Sequence, residues 1–151
     1  MPILSPSVAV AVIDDSGRVL AGRHRELDKW VFPGGAVDPR ETPADAAVRE
    51  VWEETGLLVD LTRLVGVWGG RPGDRVVYRN GDVVDYLMVA FEGEVIGGSL
   101  DRDDEEMERL EWLHPDELVA RPLAPWVAAH LAAVKAGPAA FDPPTWSPPD
   151  S

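Results

Sequence analysis

The chain predicts an α/β fold, a central mixed β-sheet with helices on both faces. Three patterns carry that expectation. Short β-branched apolar runs alternate with turn signals, one amphipathic helical segment lies between Pro43 and Gly56, and an Ala- and Leu-rich segment closes the chain near residues 123–136.

In chain order, residues 7–13 (SVAVAVI) read as a strand ended by the turn Asp14-Asp15-Ser16-Gly17, and residues 19–23 as the returning strand of a hairpin. Residues 30–35 form a short strand that delivers the chain to Gly34-Gly35. A helix over 43–55 follows, with Thr42 as N-cap, Pro43 in the first turn and Gly56 just past the end. Residues 57–68 read as a strand. Asn80-Gly81 marks a tight hairpin between strands near 75–79 and 82–92, and the second of these is apolar on both faces, as a central strand is. A strand over 108–113, a short helix from Pro115 and the closing helix to Ala136 complete the pattern. Residues 1–137 make a single domain, and 138–151, with five prolines in 14 residues, are expected to be a disordered or loosely attached tail.

Composition narrows the function. A net charge of −13 disfavours duplex nucleic acid and anionic membrane as partners. The absence of cysteine excludes a disulfide framework and suits a reducing compartment, and no apolar run approaches the length of a membrane span. A cytoplasmic protein acting on small molecules is the expectation.

The helix at 43–55 holds the chemistry. At 100° per residue, Glu50, Glu53 and Glu54 gather on one side and Ala44, Ala47, Val48, Val51 and Thr55 on another, so the apolar side packs and the acidic side projects. Like charges three and four residues apart cost a helix a few tenths of a kcal/mol per pair. Glu41, just before the helix, adds a fourth carboxylate. An oxygen-only donor set suits Mg2+ or Mn2+ better than zinc. Arg49 is placed to orient a carboxylate, and Gly35 offers a backbone carbonyl without a side chain.

The residues Gly35, Glu41, Arg49, Glu50, Glu53, Glu54 and Gly56, with Val51 and Leu57 in the aliphatic slots, stand at the spacing G-x5-E-x7-R-E-U-x-E-E-x-G-U. The run from Gly35 to Leu57 therefore resembles a complete Nudix box, and the chain looks like a Nudix hydrolase. The resemblance implies an α/β/α sandwich around a central mixed sheet, dependence on Mg2+ or Mn2+, and hydrolysis of a phosphoanhydride bond in a nucleoside diphosphate linked to another group. It implies Glu50 and Glu54 as main metal ligands, Glu53 and the Gly35 carbonyl as further ones, Glu41 as a secondary ligand and Arg49 as the orienting residue. For the general base it leaves two candidates, Glu50 first and Glu106 at the end of the acidic run 101–106 second. Proteins of this family often dimerise, so a homodimer is compatible with it.

Pro72, 15 residues beyond Leu57, resembles a feature of ADP-ribose pyrophosphatases in the family and favours ADP-ribose or a nucleotide sugar as substrate. The alternatives are pyrophosphohydrolysis of ordinary or oxidised nucleoside triphosphates and, in another class, a nucleotide sensor without catalysis. Arg23 and Arg71, with Arg25, are the candidate phosphate contacts, and Trp68, Tyr78 and Tyr86 the candidate stacking partners. His24, His114 and His130 receive no role.

Overall fold

The computed structural model describes residues 1–100, 106–146 and 148–149. Its strands are β1 (Ile3–Val12), β2 (Val19–His24), β3 (Lys29–Val31), β4 (Gly34–Ala36), β5 (Leu57–Gly69), β6 (Arg75–Val77), β7 (Val83–Gly98) and β8 (Met107–Leu113). The α-helices are α1 (Pro43–Thr55), α2 (Pro115–Val119) and α3 (Pro125–Ala136).

The main sheet is mixed. Its strands run β4-β1-β7-β5, with β6 also on β7, and β1 and β7 are parallel while the other pairs are antiparallel. The long β7 is the central strand its two apolar faces predict. Met88 and Ala90 belong to one core with α3, whereas Val89 and Phe91 pack against the other with α1. β1 alternates in the same way, sending Val8, Val10 and Val12 toward α1 and Ala9 and Ala11 to the opposite core.

A second, three-stranded antiparallel sheet, β3-β2-β8, departs from the hairpin expected for β1 and β2. The turn forms, with Gly17 donating to the Asp14 carbonyl at 3.0 Å, but only Ile13 and Val19 bridge across it. Beyond that bridge β1 is claimed on both sides by β4 and β7, so β2 pairs with β3 and β8 instead. The strand expected over 30–35 is likewise divided at Phe32-Pro33, where the chain passes from the second sheet to the main one.

The segment after α3 is tied down at its start. Ala140 donates to the Val65 carbonyl at 2.9 Å and accepts from the Val67 amide at 3.0 Å, and Asp142 pairs with Arg71 at 2.6 Å. Among the described residues no helix is long and apolar enough to cross a membrane.

Candidate functional site

α1 has the caps its sequence predicts. The Thr42 hydroxyl accepts from the Asp45 amide at 3.1 Å, and Gly56 takes the left-handed conformation, φ 82°, while donating to the Trp52 carbonyl. Ala46, Ala47, Val51 and Thr55 are buried against the sheet, whereas Ala44 is exposed. A buried aliphatic side chain contributes about 1.5–3 kcal/mol, several times the repulsion of one glutamate pair on the same helix.

Arg49 gathers the acids. Its Nε and Nη2 donate to the two carboxylate oxygens of Glu41 at 2.7 and 2.9 Å, and Nη1 donates to Glu50 at 3.0 Å and Glu53 at 3.1 Å. Nη2 also reaches the Ala36 carbonyl at 3.0 Å, which ties α1 to β4. This fork holds the Glu41 carboxyl down near pH 2, chiefly through its hydrogen bonds. Glu50 moves the other way. Burial pushes its carboxyl up to about 7, against the pull of Arg49, with the charges of Glu53 and Glu106 adding to the rise.

Glu54 corrects the picture of one projecting acidic face. It is 4 % exposed, and its carboxylate accepts from the Gly34 amide at 3.2 Å. Gly35 lets Glu50 lie close to the strand, since a Cβ there would stand 2.6 Å from the Glu50 carboxyl carbon. Glu50 therefore lies over bare backbone at the start of β4.

A cleft of about 470 Å3 opens from this corner. One side of it is β1 and β7, contributing Ser5, Ser7, Ala9, Tyr86 and Met88. The rest of the lining is His24, Glu26 and Leu27, then Tyr78, Asn80 and Asp82, then Trp126, with Gly34, Gly35, Glu54 and Glu106 at the acidic end. The Tyr78 and Tyr86 hydroxyls meet, and Tyr86 and Trp126 lie ring to ring at 5.7 Å.

The structure thus brings Glu106 to the same cleft as Glu54 and Gly35, near enough to Glu50 for its charge to be felt; residues 101–105 of the acidic run lie outside the described residues. It keeps three expected contacts away. Arg23 is held by Asp28 and Glu108, Arg71 by Asp142 while lying over the Trp68 ring, and Pro72 opens a one-turn 3-10 helix; none of them lines the cleft. Arg25 reaches Glu108 at 3.8 Å. Trp68 is buried beside His130, so of the proposed stacking partners Tyr78 and Tyr86 alone face the cleft. Ser7, Phe32 and Trp126 also line the cleft and belong to no sequence motif. A hint of Ser7 was there, in two serines at alternate positions of an otherwise apolar strand.

Among the described residues no three acidic or histidine side chains converge as a formed cation site, because Glu50 and Glu53 turn to Arg49 and Glu54 turns to Gly34. The donor set nevertheless fits a hard divalent cation. It is all oxygen, and Glu50 sits in a place where burial disfavours its negative charge and a cation would restore it.

The NUDIX domain family profile matches residues 4–134. The chain belongs to the Nudix family. Over 120 residues it is 36 % identical to a MutT-like protein of Streptomyces ambofaciens, covering 80 % of this chain and 70 % of the relative. A putative 8-oxo-dGTP diphosphatase of Bacillus subtilis is 33 % identical over 109 residues, 72 % of this chain and 66 % of that protein, so the chain spans just under two thirds of its length. A solved Nudix hydrolase from Nitrosomonas europaea superposes with a TM-score of 0.72 at 27 % identity, covering 91 % of this chain and 90 % of the other. The mixed central sheet flanked by helices is thus the Nudix fold, and the chain is a Nudix hydrolase. Members of the family generally depend on a divalent metal.

Proposed function

We propose that this Nudix hydrolase is a Mg2+- or Mn2+-dependent pyrophosphohydrolase of nucleotides, with nucleoside triphosphates the first substrates to test. The observation that carries this reading is the charge of the cleft. Among the described residues its lining includes Glu26, Glu54, Asp82 and Glu106 and no Arg or Lys. Two like charges 5 Å apart repel by about 3 kcal/mol at an effective dielectric of 20, so a polyphosphate enters this corner only in company with cations. Glu50, Glu53, Glu54 and the Gly35 carbonyl would hold them. Divalent ions held there would neutralise phosphate charge and make a water more acidic.

The chain's own residues do the rest. Arg49 fixes Glu50 and Glu53 relative to β4. Glu50 takes the proton of the attacking water, and Glu106, which lines the cleft, is the second candidate. The aromatic end, Tyr86 and Trp126, receives the nucleoside.

The preference for triphosphates over ADP-ribose rests on two points. Pro72, the residue behind the ADP-ribose reading, lies off the cleft. Curated relatives bear the names MutT-like protein, putative 8-oxo-dGTP diphosphatase and RNA pyrophosphohydrolase. The test is product analysis with Mg2+ against ordinary and oxidised nucleoside triphosphates, ADP-ribose and nucleotide sugars. Alongside it, Glu54→Gln keeps the side-chain shape and loses a ligand charge. Turnover of a triphosphate that Glu54→Gln abolishes while retaining its fold is the expected result. Near wild-type, metal-dependent turnover in that variant overturns the ligand assignment, and binding without hydrolysis in the wild type overturns the enzyme reading in favour of a sensor.

A further inference from the structure

The floor of the cleft carries a polar group that the fold leaves unused. Ser7 is 3 % exposed, and its Oγ has no hydrogen-bond partner among the described residues. A buried hydroxyl offers one donor and two acceptor positions, and leaving them unmade is costly. The backbone offers it no relief, since β1 is paired on both sides at Ser7, with Ala36 of β4 and Met88 of β7. What remains open to the hydroxyl is the cleft that Ser7 lines.

Its position along that cleft is informative. Ala9 stands opposite Gly34 at the acidic corner, Ser7 follows two residues away, about 7 Å along the strand, and Ser5 stands beside Tyr86 at the aromatic end. A nucleoside received at the aromatic end therefore lies with one edge over Ser7. A flat, apolar-faced group with donors and acceptors on its rim fits this lining, because Met88 and Phe32 surround the cleft with apolar surface and Ser7 is the buried hydroxyl set into it.

We propose that Ser7 is a specificity-determining residue whose hydroxyl hydrogen-bonds the rim of the substrate's nucleobase. The inference rests on the nucleotide reading above and names what that site discriminates. A site that hydrogen-bonds a substrate group penalises an analogue lacking it, because its own buried polar atom is then left unpaired. Bases that present a partner to Ser7 are bound in preference to those that do not.

The experiment compares wild type and Ser7→Ala, both as full chains, for binding of the four α,β-methylene deoxynucleoside triphosphates and of base-free tripolyphosphate in Mg2+, by calorimetry. Thermal unfolding and turnover of the natural triphosphates are measured in parallel. In Ser7→Ala the best-bound analogue is expected to lose about tenfold in affinity while the spread among the four bases narrows, and Tm stays level or rises because an unpaired buried hydroxyl has gone. Four dissociation constants unchanged within twofold overturn the inference. So does a uniform loss of affinity with a lowered Tm, which marks a structural hydroxyl, or wild-type binding that does not distinguish the nucleotides from tripolyphosphate. Base-dependent binding without turnover by the wild type leaves Ser7 its role and refutes triphosphate hydrolysis; turnover with an indifferent Ser7→Ala does the reverse.

Discussion

Replacing Arg49 with lysine separates the charge at the centre of the acidic cluster from the shape that organises it. The guanidinium makes five hydrogen bonds, two to Glu41 and one each to Glu50, Glu53 and the Ala36 carbonyl. A lysine ammonium keeps the positive charge, but from one nitrogen it satisfies about two of these acceptors at once. About three charge-assisted bonds are lost. Each contributes on the order of 1 kcal/mol net, and partial exposure of the cluster lowers the total to about 2 kcal/mol. For a domain of this length that corresponds to a fall in Tm of about 4–8 °C. Catalysis suffers more than stability, because Glu50 and Glu53 lose the anchor they share, and kcat/KM on the triphosphate substrate should drop about 100-fold. Scanning calorimetry and steady-state kinetics at saturating Mg2+ read the two quantities. A lysine variant within about 1 °C and about threefold of wild type would show that charge alone organises the cluster and that the geometry of the fork is incidental.

Two further predictions concern other groups. In Glu106→Gln, kcat/KM should remain within tenfold of wild type if Glu50 accepts the proton, and a larger loss with an unchanged fold transfers that role to Glu106. His130 is fully buried, its Nε2 against the Phe91 carbonyl at 3.0 Å and its ring edge-on to Phe32, and burial lowers its pKa from 6.5 to about 4. The unfolded chain therefore binds a proton at higher pH than the folded one, so this contribution is fully present above pH 6.5 and is lost as pH falls toward 4. Between about pH 7 and about pH 4 the wild type should lose about 3 kcal/mol more than His130→Phe in urea unfolding, and parallel curves for the two proteins would refute it.

The sequence by itself determined the local chemistry. Thr42, Pro43 and Gly56 bounded α1 to the residue, because caps and left-handed glycine act within one helical turn. The two apolar faces of residues 82–92 marked β7 as central, since a strand covered on both sides needs both faces apolar. The spacing of Arg49, Glu50, Glu53 and Glu54 likewise announced an acidic cluster organised by arginine. Tertiary structure decided which distant segments meet. It divided β1 and β2 between two sheets, turned Glu54 inward to Gly34, and occupied Arg23 with Glu108 and Arg71 with Asp142, 85 and 71 residues away along the chain. It also set Ser7 beside Met88 on the cleft floor. Such pairings depend on the competition among many remote partners for the same edge or charge, and periodicity in one segment carries no record of that competition.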